Sequence, residues 1–131
     1  MRQSSGSGRA SGTVIFAAGP GVGHVVDRWR RGGLRPVLVD VTEPNLRAAL
    51  LSEAALAEMR AAGIPVHLRL APGAGTPTRL EIGSVVAAHR SVGYAIAGPA
   101  TFTLRLRRAL RGFGVEPAGL AELGMVEPAA A

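Results

Sequence analysis

Short, mostly apolar runs alternate with segments of helical spacing along this chain, and glycine or proline turns separate them. That alternation constrains the fold more than any other feature. Thr13 to Ala18, Pro36 to Val41, Pro65 to Leu70 and Val92 to Ala97 have strand length. Runs of this kind are buried on both faces, which calls for a parallel sheet with helices on each side. Between them, Val22, Val25, Val26 and Trp29 recur at helical spacing, and Gly32-Gly33 stops that helix. Thr42-Glu43-Pro44-Asn45 offers helix-start residues. Leu46, Leu50, Ala54, Ala57 and Ala61 form one apolar face of a long helix that Gly63 ends. A Pro/Gly loop runs from Ala71 to Thr78. A short helix over Gly83 to His89 carries Ile82, Val85 and Val86 inward. The last helix has an apolar stripe of Phe102, Leu106, Ala109, Leu110 and Phe113, with Arg105, Arg107, Arg108 and Arg111 opposite. A final strand is expected from about Leu120 to Met125.

The expected fold is α/β, a three-layer doubly wound sheet of five parallel strands, Rossmann-like in kind. A Ser/Gly/Arg-rich stretch over residues 1–12 reads as a disordered tail, 13–125 as one domain, and 126–131 as a loose C-terminal tail. Hydrophobic residues make up 47% of the chain and charged residues 18%, which excludes disorder throughout. No apolar run reaches membrane-helix length, and the first residues lack the apolar stretch of a secretory signal. A cytoplasmic location is expected, with no membrane partner.

The chain has no cysteine, which removes disulfides, thiolate chemistry and cysteine-ligated metal. Its 15 basic residues are all arginine. Without lysine there is no Walker A loop, Schiff base or lysine general base. His24, His67 and His89 show no metal-ligand spacing. A net charge of +6 suits anionic partners. Phe16, Trp29, Tyr94, Phe102 and Phe113 lie in core patterns and not on a base-stacking surface, which argues against nucleic acid.

Ligands of a doubly wound sheet bind beyond the carboxyl ends of its strands, near the reversal of strand order. Two glycine turns occupy such ends. In Gly19-Pro20-Gly21-Val22-Gly23, glycines let backbone approach a phosphate at a helix start, where His24 follows. Gly98-Pro99-Ala100-Thr101 repeats the arrangement before the last helix. Tight turns alone would use the same residues. Asp40 stands seventeen residues after Gly23, where a carboxylate can accept from a ribose hydroxyl. The expected cofactor-binding set is therefore Gly19, Gly21, Val22, Gly23, His24, Asp40, Gly98, Pro99 and Ala100, with no metal. Arg47 and Arg79 are positioned as candidates for a phosphate, and no catalytic residue is assigned.

From Thr13 to Met125 the order of turns resembles the C-terminal nicotinamide-nucleotide domain of the ferredoxin–NADP reductase superfamily. The resemblance rests on Val14-Ile15-Phe16-Ala17-Ala18-Gly19-Pro20-Gly21-Val22-Gly23, on Arg35-Pro36-Val37-Leu38-Val39, and on the acidic helix Leu50 to Leu56. Gly93-Tyr94-Ala95-Ile96-Ala97-Gly98-Pro99 and Leu110-Arg111-Gly112-Phe113-Gly114-Val115 complete it. It implies a domain that binds NAD(H) or NADP(H) and presents the nicotinamide to a flavin held by a preceding β-barrel. That barrel is not in this sequence, so flavin is expected from another chain and none is expected to be bound by this one. The family's Thr-Pro after the first turn is His24-Val25 here, its cysteine before Gly-Pro is Ala97, and its terminal aromatic is absent after Glu122.

Two functions follow. One is an NAD(P)-binding module of an oxidoreductase or electron-transfer system, whose partner is a flavoprotein or other protein subunit. The other is a non-catalytic, degenerate reductase-like domain serving as a partner or regulatory subunit. A third reading, nucleic-acid binding through the arginines, has no motif behind it.

Overall fold

In the computed structural model, which describes residues 12–90 and 92–117, four strands alternate with four helices. They are β1 (Thr13–Ala17), α1 (Pro20–Arg30), β2 (Pro36–Glu43), α2 (Leu46–Ala61), β3 (Val66–Leu70), α3 (Arg79–Ala88), β4 (Gly93–Ala97) and α4 (Ala100–Gly112). All described strand pairs are parallel, in the order β3-β2-β1-β4. The fifth strand expected over about Leu120 to Met125 lies outside the described residues, as do 1–11 of the first expected tail and the whole of the second, 126–131.

The residue pattern explains this order. In β1, Val14, Ile15, Phe16 and Ala17 are all buried, as a central strand requires. Ile15 and Ala17 join Val22, Val25 and Val26 of α1 and Leu56 and Met59 of α2 in one core. Val14 and Phe16 face the other way, into a core with Ile82, Val85 and Val86 of α3 and Phe102, Leu106 and Leu110 of α4. Two helices on each face make the three layers. Each such buried Val, Ile, Leu, Met or Phe side chain contributes about 1.5–3 kcal/mol over its exposed state.

The helix starts obey local chemistry. Asn45 caps α2, its side-chain oxygen accepting the Ala48 N–H at 2.8 Å. Thr78 and Glu81 form a reciprocal capping box at the start of α3. That box starts α3 at Arg79, four residues before the expected Gly83. Among the described residues no helix is long and apolar enough to cross a membrane.

The expected inner face of α2 is its outer one. Leu46, Leu50, Ala54, Ala57 and Ala61 are exposed, whereas Ala49, Ser52, Leu56 and Met59 are buried. The helix is apolar nearly all round, so periodicity offers two stripes. The buried stripe carries a polar contact to the sheet as well as Leu56 and Met59: Ser52 donates to the buried carboxylate of Glu43 at 2.5 Å.

Candidate functional site

Strand order reverses at β1. From it the chain passes to β2 and β3 on one side and to β4 on the other. Ala17 pairs with Ala97, and the Ala18 N–H donates to the Ala97 carbonyl at 3.0 Å. The two glycine turns therefore leave the sheet side by side at its carboxyl edge, as the sequence predicts. A cleft of about 400 Å³ opens there, lined by Gly19, Glu43, Pro44, Pro99, Thr101 and Phe102 and by the loop at Gly73–Thr76. Its size is at the lower end for small-molecule sites.

Among the described residues Glu43 is the cleft's one charged lining residue. It ends β2 and is only 2% exposed. Its Oε2 accepts two hydrogen bonds, from the Gly19 N–H at 3.1 Å and from the Ser52 hydroxyl. Among the described residues its Oε1 has no partner. A buried carboxylate with one oxygen committed and one open accepts well from a ligand hydroxyl.

The first turn is built for packing. Gly19 has φ +55°, a left-handed conformation that favours glycine. A methyl group at Gly21 would overlap the Ala97 carbonyl, so its glycine lets α1 cross the end of β4. The Gly21 N–H donates to Ala18 at 3.0 Å and the Val22 N–H to Gly19 at 3.1 Å. Val22 itself sits in the core, while Gly23 and His24 are exposed on α1 and do not line the cleft. At the second turn, Gly98 makes room for the Phe102 ring, which would lie 2.6 Å from a Cβ there. Pro99 lines the cleft, and Ala100 is the exposed first residue of α4.

Asp40 is not at the cleft. The strand that was expected to end at Val41 continues to Glu43, because Thr42 and Glu43 keep the alternation of faces. Asp40 points to the α3 side, fully buried, with Arg69 2.6 Å away. Its register partner His67 approaches to 3.8 Å, and Glu81 lies 3.4 Å from Arg69. Burial pushes the Asp40 carboxyl above its usual range, and Arg69 pulls it back in part. Arg79 stacks over the Phe113 ring at 5.3 Å, and Arg47 is exposed outside the cleft. Glu43, Thr101 and Phe102 line the cleft but stand outside the expected cofactor-binding set, although Thr101 belongs to the second turn read from sequence. Glu43 stands twenty residues after Gly23, the usual spacing for a ribose-binding acid, and that signal was available. Among the described residues no cluster of three His, Cys, Asp or Glu could hold a metal ion.

Comparison with family models, with curated proteins and with solved structures returns no match.

Proposed function

We propose that this chain is a nucleotide-binding module that takes NAD(H) in preference to NADP(H), with flavin supplied by another chain. The observation that carries this reading is the open oxygen of Glu43, at the carboxyl end of β2 in the cleft where strand order reverses. An acid at that place in a parallel sheet suits the hydroxyls of a ribose. Among the described residues no arginine or histidine lines the cleft to balance it. A 2′-phosphate about 4 Å from the carboxylate would be opposed by about 4 kcal/mol at an effective dielectric of 20, or roughly a thousandfold in affinity. The nicotinamide would supply the hydride chemistry when bound, and this chain would supply position and orientation. The nicotinamide and flavin parts of the reading rest on the family resemblance.

Titration calorimetry with NADH and NADPH tests it. The wild type should bind NADH the more tightly, and Glu43→Gln should weaken NADH by about tenfold or more while narrowing the preference. Tighter NADPH binding by the wild type overturns the role of Glu43.

One observation favours the second reading, a reductase-like domain without the redox task. The first-turn N–H groups at Gly19, Gly21 and Val22 are all engaged within the chain. Failure of both nucleotides to bind at millimolar concentration would decide for it.

A further inference from the structure

Helix α2 presents an apolar face that the fold leaves exposed. Leu46, Leu50 and Leu51 are 63, 62 and 68% exposed, and Ala54 and Ala57 continue the face. Two exposed charges stand on it, Arg47 in the first turn and Glu58 three turns on, about 16 Å along the helix. Arg47 is badly placed within the single chain. The first turn of a helix carries partial positive charge, and α2 has no acid there to offset the arginine. Among the described residues Arg47 has no ion-pair partner, whereas Glu53 and Arg60, at the side of this face, pair with each other. Glu58 meets Arg30 through Oε1 at 2.7 Å, and its Oε2 has no partner among the described residues.

We infer that this face binds a second copy of the chain, with the two α2 helices antiparallel. Self-complementarity selects that occupant. Reversing α2 about the point midway between Ser52 and Glu53 brings Arg47 opposite Glu58 of the second copy, and Glu58 opposite the second copy's Arg47. The same reversal sets Leu51 against Ala54 of the second copy, so a large side chain meets a small one on each side of the two-fold axis. Leu50 falls between the second copy's Ala54 and Ala57. One register thus serves both charges and the apolar packing. It also carries each Arg47 to the C-terminal half of the other helix, where the partial charge is negative. A parallel pairing would set Arg47 against Arg47 and Glu58 against Glu58. A helix of 16 residues is about 24 Å long and about 10 Å across, so this contact buries less than the roughly 800 Å² per partner of a standard interface. The dimer is therefore weak, with a dissociation constant on the order of tens of micromolar. Denaturation melts at low micromolar concentration act on the single chain.

Sedimentation velocity on the full chain, from about 5 to about 500 μM, tests this. The wild type should pass from monomer to dimer across that range. Arg47→Glu sets like charges against each other and should weaken dimerisation by about tenfold or more. Glu58→Arg should do the same, and the exposed pair it loses with Arg30 contributes little. Combining the two reverses both pairs and should restore the wild-type constant to within about threefold. Leu51→Lys should remove the dimer. Arg105→Glu, at an exposed position of α4 on the other face of the sheet, should leave it intact. A chain that stays monomeric up to the highest concentration overturns the inference. So does a dimer that Arg47→Glu and Leu51→Lys leave unchanged, because its contact then lies elsewhere. A double variant no tighter than either single one also overturns it, since the charges would not then face each other.

Discussion

The carboxylate of Glu43 accepts the backbone N–H of Gly19 at 3.1 Å. This bond joins the end of β2 to the turn that ends β1, across the sheet's carboxyl edge. Because Ser52 of α2 donates to the same oxygen, three consecutive elements meet on one buried group. The acid that faces the cleft thus also sets the spacing of the cleft's walls.

That double role makes Glu43 a stability residue as well as a ligand candidate. Glu43→Ala strands the Gly19 N–H and the Ser52 hydroxyl, at about 1–3 kcal/mol for each buried group left unpaired. Ser52→Ala should cost about 1–2 kcal/mol, since the Gly19 bond survives. The double variant should lose less than the sum, because the residues share one interaction. Urea denaturation of the three variants measures this, and strict additivity would contradict the shared network.

The two glycines at the start of α1 should respond oppositely to alanine. Gly21→Ala drives a methyl into the Ala97 carbonyl, so α1 must lift from β4. Overpacking of this kind costs about 1–3 kcal/mol, and a backbone obstacle places it at the upper end. Gly23→Ala meets nothing within 4 Å and lies within a helix, so it should stabilise by about 0.5–1 kcal/mol. Denaturation midpoints decide the matter. A harmless Gly21→Ala would mean that the crossing of α1 over β4 is looser than described.

The order of elements was legible in the sequence because strands buried on both faces leave an unmistakable apolar run. The strand ends were not. Asp40 and Glu43 are both acids near the end of β2, and only alternation separates them. With the strand ended at Val41, Asp40 took the position at the edge that belongs to Glu43. Sequence also predicts the Gly19–Gly23 turn as an anion cradle, because the glycines needed for close packing and for phosphate approach are the same residues. What distinguishes them is the partner of each N–H, which no spacing encodes. The start of α3 was legible as Thr78-x-x-Glu81, a capping signature, but the Pro/Gly loop before it obscured the boundary.

The Asp40–Arg69 pair should be costly to break and cheap to replace. Arg69→Met leaves a fully buried carboxylate without its cation, a change of about 3–5 kcal/mol. Asp40→Leu combined with Arg69→Met should recover most of the loss. A double variant no better than Arg69→Met alone would show that the pair holds β2 and β3 by more than mutual compensation.

The same pair gives a pH dependence of definite sign. The folded-state pKa of Asp40 is raised by burial, with Arg69 and His67 opposing the rise and Glu81 adding to it. The folded state therefore holds this proton more tightly than the unfolded chain does. The stabilisation is fully present below the ordinary aspartate range. It is lost as pH rises through the raised value of the folded state. Unfolding free energies of wild type minus Asp40→Asn, followed from acid to neutral pH, should fall across that window and then level off. A difference that grows with pH would mean that Arg69 outweighs desolvation.

Helix α2 offers the sharpest contrast between what periodicity suggests and what the fold uses. Leu50 and Leu56 are the same residue type on one helix, six positions apart. Leu56 is fully buried in the core beneath α1, whereas Leu50 is 62% exposed. Leu56→Ala removes buried methyl groups and leaves a cavity, at about 2–5 kcal/mol. Leu50→Lys exchanges one exposed side chain for another that is helix-favouring, and should change stability by no more than about 0.5 kcal/mol. Paired urea melts of the two variants measure the difference directly. The comparison also tests the anchoring role of Ser52. If the Glu43–Ser52 bond selects the inner face of α2, Leu50→Lys stays neutral in the wild-type background. It then becomes destabilising in Ser52→Ala, where the helix is freer to turn its leucine stripe inward. Neutrality in both backgrounds would assign the orientation of α2 to packing around Leu56 and Met59 alone.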